Sequence, residues 1–195
     1  PIWDLLERER VPIVLHIGGG RGLDRDYHET GHPPVTDWLG GGENLRGKDY
    51  HAISHSPQNF LTALIYDQVF QRFPELKCGV IELGATWVPG FLRILDQGHR
   101  AFRKAEPLLQ SLELTPSEFF RRQVRVSLFP YEDAGWLIDQ AGAEIFMFAS
   151  DYPHPEGGRD PIGRFDASLD EAAVPAASRD RVYHGNFADM FHLPA

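Results

Sequence analysis

Four short apolar runs, separated by longer stretches, constrain the fold of this chain most strongly. The runs occupy residues 12–16, 77–82, 124–128 and 145–149. Nearly continuous apolar sequence over a few residues is typical of strands that are buried on both faces, as in parallel sheets. Parallel strands need crossover connections, which are usually helices. The sequence therefore predicts an α/β fold with one parallel sheet covered by helices.

The stretches between the runs carry helical patterns. The spacing of Leu61, Leu64, Ile65 and Val69 predicts a helix that begins at Ser56-Pro57 and ends near Pro74. Thr115-Pro116-Ser117-Glu118 forms a capping box with proline at the first helical position. Further helices are predicted over residues 2–10, 88–103, 116–122 and 133–141, with two or three short ones in the tail, the last capped by Asn186.

Residues 17–55 are the exception to this alternation. They are rich in Gly, Asp and His and have no clear period. A connection of this length without secondary structure is uncommon in a compact domain and is often functional. We therefore expect a long loop after the first strand, close to any site at that strand's end.

Four strand–helix units make half of a (β/α)8 TIM barrel, since a complete barrel takes about 250 residues. We expect residues 1–195 to form a single domain that represents the C-terminal half of such a barrel. The chain opens on Pro1 in the middle of a helical pattern, so we expect processing or a missing upstream segment. Because a half barrel has open sheet edges, we also expect a homo-oligomer or a missing N-terminal half as its partner.

Charge and composition argue against several classes of binding partner. The formal net charge of −9 argues against nucleic acid and anionic membranes as partners. No stretch approaches the roughly 18 apolar residues of a membrane helix, and no signal peptide opens the chain. Cys78 is the only cysteine, which rules out an internal disulfide and fits a cytoplasmic protein. Because Cys78 lies in a predicted strand, we expect a buried, inert thiol.

Polar residues stand where three of the four strands end. His16 closes the first strand, Glu82 the second, and Ser150-Asp151 follows the fourth. In parallel sheets ligands gather at the C-terminal ends of the strands, so these side chains are predicted to converge there. Each can bind a metal or move a proton. The alternatives are a structural hydrogen bond for His16, a turn cap for Asp151, and an ion pair of Glu82 with an arginine such as Arg93.

Other catalytic signatures are absent from the sequence. The glycines at residues 18–22 are not followed by Gly-Lys-Ser/Thr and do not fit G-x-G-x-x-G, so no phosphate-binding loop is predicted. No G-x-S-x-G elbow of a serine hydrolase occurs.

Several motifs resemble one family. FASDYPHPEG at residues 148–157 resembles the "SDYPHPEG" signature of amidohydrolase-2 proteins, the group that includes aminocarboxymuconate-semialdehyde decarboxylase. FQRFPELK at residues 70–77 and ELGATWVP at residues 82–89 resemble further segments of the family. The same holds for PIVLH at residues 12–16 and HGN at residues 184–186. The resemblance covers residues 10–193.

The resemblance implies a divalent metal, usually zinc, at the mouth of the barrel. His16 and Asp151 would be metal ligands, and Asp151 would also orient or deprotonate a metal-activated water. Glu82 stands where many members place a histidine that acts as acid or base, and a buried glutamate can take that role. His154 lies in a turn beside this site, where we expect it to contact substrate or to hold the loop. Arg159 and Arg21, in loops on the same side, could hold a substrate carboxylate, and the alternative for both is a solvated surface position.

The sequence departs from the family in one respect, because it contains no His-x-His pair, which supplies two metal ligands in the family. His51 and His55 are four residues apart but are predicted to lie in a loop. Two hypotheses follow. The first is a metal-dependent amidohydrolase or carboxy-lyase that hydrolyses or non-oxidatively decarboxylates a small cyclic or carboxylated substrate. The second is a catalytically incomplete barrel fragment that acts as a folding or assembly module.

Overall fold

The computed structural model of the chain describes residues 2–17, 47–154 and 157–194. Four β-strands and eleven α-helices occur in these ranges, with a π-helical turn at Arg181–Gly185 before the last helix. The strands are β1 (Ile13–His16), β2 (Cys78–Ile81), β3 (Val124–Ser127) and β4 (Phe146–Met147). The helices are α1 (Ile2–Arg8), α2 (Gly47–Ala52), α3 (His55–Tyr66), α4 (Val69–Arg72), α5 (Val88–Phe102), α6 (Pro107–Gln110), α7 (Pro116–Gln123), α8 (Ala134–Ala141), α9 (Pro161–Glu171), α10 (Ala176–Asp180) and α11 (Asn186–Met190).

The strands form one parallel sheet in the order β1-β2-β3-β4, which confirms the predicted α/β class. The register pairs His16 with Ile81 and Val80 with Val126, so the strands end at one edge. All four strands lie within the predicted runs but are shorter, and β4 has only two residues. Strand pairing therefore ends at Met147, four residues before Asp151.

The two faces of the sheet have different surroundings. Val80, Val126 and Phe146 are fully buried on the face that carries the helices, where the apolar core lies. Side chains alternate between faces along a strand, so Val14 and Arg125 lie on the opposite face. Val14 is 47% exposed there, whereas Arg125 is buried. The core face accounts for the apolar residues at alternate strand positions.

The helices agree with the sequence pattern except where local backbone geometry interrupts it. The capping box at Thr115 and Glu118 is present and starts α7. The helix predicted from Ser56 to Pro74 is divided into α3 and α4, because Gln68 adopts a left-handed conformation with φ 62°. The sequence prediction of an uninterrupted helix there was wrong. The apolar spacing continues across the break and therefore gave no sign of it.

The loop was predicted over residues 17–55, but it ends earlier in the structure. Residues 47–52 form α2, and α3 begins at His55, one residue earlier than predicted. His51 and His55 therefore lie in helices rather than in a loop, and their rings are 5.3 Å apart. Residues 18–46 of this predicted loop lie outside the described residues.

Asn186 does not cap the last helix, contrary to the sequence prediction. It is the first residue of α11, and its side-chain amide donates to the carbonyl oxygens of Ala143 and Phe146. The backbone N–H of Phe148 donates to the carbonyl of Val182 in the π-helical turn. The tail is therefore bonded along the outer edge of β4.

An ionic cluster lies at the N-terminal ends of β2 and β3. Lys77 and the nearly buried Arg125 both bond the carboxylate of Asp189 in α11. Burial acts to raise the pKa of Asp189, but the charges of Arg125 and Lys77 outweigh it and hold this pKa below its usual range. The stabilisation is present above about pH 4 and is lost as acid protonates Asp189.

Cys78 is fully buried in β2, and burial raises the pKa of its thiol to about 12. The thiol is therefore protonated at neutral pH, as expected for an inert core cysteine. None of the helices in the described ranges is long and apolar enough to cross a membrane.

Close packing of α8 on α9 gives a test of the fold. A Cβ added at Gly135 would overlap the side chain of Ala172 and lie 2.6 Å from the carbonyl oxygen of Ser168. We expect Gly135→Ala to lower the free energy of unfolding by about 1–3 kcal/mol, because the helices must separate. Urea denaturation followed by circular dichroism would measure the change.

Gly90→Ala is the matched control. Gly90 is exposed within α5, and nothing lies within 4 Å of an added Cβ. This substitution should raise the free energy of unfolding by up to about 1 kcal/mol through helix propensity. Equal effects of the two substitutions would contradict the packing of α8 on α9.

Candidate metal centre at the strand ends

The candidate site begins where the strands stop. His16 is the last residue of β1, and Glu82 follows β2 directly, beside it in the parallel register. Glu82 and Asp151 both have left-handed backbones, with φ of 58° and 55°. Such conformations are uncommon for residues with a Cβ and are concentrated at functional sites. The chain thus turns sharply at each carboxylate residue.

His16 and Glu82 form the shortest contact of the site. The Nε2 atom of His16 lies 2.6 Å from Oε2 of Glu82. The other ring nitrogen, Nδ1, lies 2.7 Å from the carbonyl oxygen of Ile17, which can only accept a hydrogen bond. A proton on Nδ1 donated to this carbonyl leaves Nε2 as the ring atom available to a metal, and a backbone carbonyl sets the tautomer of metal-binding histidines in this way. Without a cation between them, the close contact of Nε2 with the Glu82 carboxylate requires a shared proton.

His154 joins the two carboxylates. Its Nδ1 atom is 3.3 Å from Oε1 of Glu82 and 3.4 Å from Oδ1 of Asp151. The Asp151 side chain is 9% exposed, whereas those of His16 and His154 are 56% and 42% exposed. The site is therefore a half-open cluster with its carboxylates on the inside. Within the described residues, both ion pairs of Glu82 are with histidines rather than with arginine or lysine.

The donor atoms suit a divalent cation. One ligand atom from each of Glu82, Asp151 and His154 lies within 4.8 Å of the others, and His16 contacts Glu82. Imidazole nitrogen and carboxylate oxygen are the ligands of catalytic zinc and of related divalent metals. The residues therefore fit a metal ion at this place.

The loop after β4 is shaped around Asp151. Its carbonyl oxygen accepts from the N–H of His154, which closes a turn. Gly157 packs against the carbonyl of Ser150, and a Cβ at Gly157 would overlap that oxygen. The glycine that ends the SDYPHPEG segment is therefore required by close packing. Asp151 both forms the turn through its backbone and faces His154 with its side chain.

Glu132 joins two loops beside the site, and the sequence pattern did not predict this. It is 8% exposed and its carboxylate accepts hydrogen bonds from Ala85, Thr86 and Phe129. These residues belong to the loops after β2 and β3. The signal in the sequence was an acidic residue in the otherwise uncharged segment FPYE with no basic neighbour.

Ser127 supports the site from within β3. It is buried, and its hydroxyl oxygen accepts from the backbone N–H of Glu82 at 3.0 Å. The bond joins the end of β3 to the left-handed residue after β2. A serine in an apolar strand gives little indication of this role by itself.

An aromatic cluster lies over the loop after β3. Phe129 and Tyr131 stack with ring centroids 5.2 Å apart, and Tyr50 of α2 packs on both at 6.3 Å. Burial raises the pKa of Tyr50, a hydrogen bond with Tyr131 opposes the rise, and the charge of Glu132 adds to it. The cluster attaches α2 to the loop that contains Glu132.

Some predicted residues lie outside the cluster. Arg159 is exposed and makes no hydrogen bond or ion pair with any described residue, so its role in substrate binding stays a prediction. Arg21 lies outside the described residues. The alternative pairing of Glu82 with Arg93 does not occur, since Glu82 pairs with His16 and His154. His51 and His55 contact each other through their rings.

The parallel βα units and the histidine–carboxylate cluster at their strand ends define part of a (β/α)8 barrel with a candidate metal site. The family model for amidohydrolase matches residues 1–193. The chain therefore belongs to the amidohydrolase-2 family, as the motifs indicated. No curated protein matches the chain.

Solved structures with the same fold are about twice as long. An amidohydrolase from Mycobacterium avium subsp. paratuberculosis K-10 has 24% identity and a TM-score of 0.71, over 98% of this chain and 45% of its own. The 5-carboxyvanillate decarboxylase LigW from Sphingomonas paucimobilis has 23% identity and a TM-score of 0.64, over 100% and 53%. The 5-carboxyvanillate decarboxylase from Novosphingobium aromaticivorans, solved with manganese and a nitrobenzoic acid, has 19% identity and a TM-score of 0.67, over 99% and 51%. This chain thus has the fold of a partial barrel.

The bond between Ser127 and Glu82 can be tested directly. Ser127→Ala leaves the N–H of Glu82 without its acceptor, so we expect the free energy of unfolding to fall by about 1–3 kcal/mol. Ser56→Ala, an exposed position in α3, should change it by less than about 0.5 kcal/mol. Urea denaturation of both variants measures the difference, and equal stability would contradict the contact.

Proposed function

We propose that this chain carries the metal-binding and proton-transfer residues of an amidohydrolase-2 enzyme that acts on a small carboxylated, cyclic substrate. The observation that supports this most is the convergence of His16, Glu82, Asp151 and His154 at the C-terminal ends of parallel strands. In barrel enzymes that edge is where substrates bind. The chain spans about half the length of the solved barrels. The activity of the whole protein is therefore proposed together with the site.

His16 and Asp151 are the proposed metal ligands. His16 offers Nε2, because the carbonyl of Ile17 accepts from Nδ1. Asp151 offers a carboxylate that is largely shielded from solvent. A bound divalent metal would supply Lewis-acid chemistry, polarising a substrate oxygen and lowering the pKa of a water molecule. Two ligands alone are fewer than the three of most catalytic zinc sites, and Glu82 and His154 lie in reach to add to them.

Two divalent metals are candidates for this site. Zinc is the metal that the family resemblance implies, whereas two similar solved structures contain manganese. Mixed imidazole and carboxylate ligands suit both metals. We propose a divalent cation, with Zn²⁺ and Mn²⁺ as the two candidates.

Asp151 and Glu82 are the proposed proton-transfer groups. Their carboxylates face a common imidazole, that of His154, at 3.3 and 3.4 Å. A small approach of these groups on substrate binding would let a proton move among the three side chains. The Nδ1 atom of His154 faces the carboxylates, which leaves the opposite edge of this half-exposed ring for substrate. Arg159, in the exposed segment before α9, is the proposed partner of a substrate carboxylate.

Non-oxidative decarboxylation and hydrolysis are both compatible with these groups. In decarboxylation a carboxylic acid group donates a proton to the ring carbon, the bond from that carbon to the carboxylate breaks, and carbon dioxide leaves. In hydrolysis a carboxylate accepts a proton from water as the water oxygen bonds to the substrate carbon. The bond from that carbon to the leaving group breaks, and the leaving group takes up the proton. Several solved relatives of the fold are decarboxylases of aromatic acids, which favours the first reaction.

Metal binding and turnover test the proposal together. We expect the chain to bind one equivalent of Mn²⁺ or Zn²⁺ by isothermal titration calorimetry. With the preferred metal it should release carbon dioxide from 2,6-dihydroxybenzoate or 5-carboxyvanillate. Asp151→Asn should lower kcat by about a hundredfold to ten-thousandfold, because the proton-transfer group is lost. Asp139→Asn, an exposed change in α8, is the control and should leave kcat unchanged.

The second hypothesis makes the opposite prediction. A barrel fragment that serves in folding or assembly would bind neither metal at micromolar concentration, whatever its variants. Stoichiometric metal without turnover would indicate that the other barrel half, or a different substrate, is needed. Equal turnover by wild type and Asp151→Asn would contradict the role of Asp151.

A further inference from the structure

Glu132 is a buried carboxylate with an unusual set of partners. Oε1 accepts from the N–H groups of Ala85 and Thr86, both at 2.8 Å, and from the Thr86 hydroxyl at 2.6 Å. Oε2 accepts from the N–H of Phe129 at 2.8 Å and from that of Ala85 at 3.1 Å. Among the described residues, no lysine or arginine pairs with it. Backbone N–H groups of two loops thus compensate the charge of the carboxylate. The stability of the buried Glu132 side chain therefore depends on the positions of these loops.

These loops are the ones that follow β2 and β3. Glu82 lies three residues before Ala85, and the chain between them turns through Gly84, whose φ is 66°. The carbonyl of Gly84 accepts from the indole N–H of Trp87 at 2.7 Å, which closes the turn. Glu82 therefore lies between two fixed points, the end of β2 and a turn bonded to Glu132.

The fixed turn has a consequence for the site. A left-handed conformation at a glutamate is less stable than an ordinary one by roughly 1–2 kcal/mol. The hydrogen bonds of Ala85 and Thr86 to Glu132, and that of the Glu82 N–H to Ser127, hold the chain in this conformation. In it the Glu82 carboxylate reaches both histidines.

We propose that Glu132 is a positioning residue of the candidate metal centre. It acts through the turn at residues 83–87 and sets the carboxylate of Glu82 against His16 and His154. The importance of that position for metal binding rests on the proposed function, whereas the mechanical link from Glu132 to Glu82 does not.

Glu132→Gln is the informative variant. Both carboxylate oxygens accept from N–H groups, so either placement of the amide nitrogen would oppose a donor to a donor. We expect hydrogen exchange of the Glu82 amide, measured by NMR relative to that of Val126 in the core, to become about tenfold faster. We also expect affinity for Mn²⁺ to fall by about tenfold or more, as for other residues that support metal ligands.

Asp189→Asn is the matched control. It also removes a carboxylate that joins separate elements, but at the opposite ends of β2 and β3. It should lower thermal stability yet leave Mn²⁺ affinity and the relative exchange of Glu82 within about twofold of wild type. If both variants changed these two quantities equally, Glu132 would be an ordinary stabilising residue and the proposal would be wrong.

Thr86→Val provides a second test of the proposal if the Glu132→Gln variant does not fold. It keeps the size of the side chain and removes only the hydroxyl donor to Glu132. We expect about a threefold increase in Glu82 exchange, since one hydrogen bond of the set is lost. Unchanged exchange in a folded variant would overturn the proposal. If wild type binds no Mn²⁺, the proposed function fails, while the exchange measurements still decide the role of Glu132.

Discussion

The parallel register of β1 on β2 is the constraint on which the site depends. It sets His16 opposite Ile81, so the residue after β2 emerges beside the imidazole. A shift of one residue would turn His16 toward the apolar core and separate it from Glu82. The packing of Ile13 and Leu15 against the apolar core opposes such a shift, because these side chains would have to move to the opposite face of the sheet. Core packing and site geometry are therefore fixed by the same alignment.

Much of the fold could be predicted from the sequence because its signals are local and repeated. Each strand is an apolar run, and the capping box at Thr115 marks a helix start without reference to distant residues. The failures arose where tertiary contacts override a local pattern. The left-handed Gln68 interrupts a helix whose apolar spacing is continuous, and its side chain bonds Leu108 and Ser111 far along the chain.

The site was predictable in part. His16, Glu82 and Asp151 stand at strand ends, and parallel topology alone brings strand ends together. Which of them contact could not be predicted, because that depends on two left-handed residues and on a turn held by Glu132. The segment FPYE shows an acidic residue without a basic neighbour, but it does not show which loop amides that carboxylate bonds. Such long-range bonds are a property of the assembled loops rather than of any one segment.

The hydrogen bonds of the tail to β4 affect how the sheet can grow. The outward-facing backbone groups of Phe146 and Phe148 are engaged by Asn186 and Val182. A strand from another molecule could pair with β4 only after this segment peeled away. Strand pairing at β4, with another copy or with a different strand, would therefore have a higher free-energy barrier than pairing at an edge with free backbone groups. The C-terminal segment thus hinders the addition of another strand at the β4 edge.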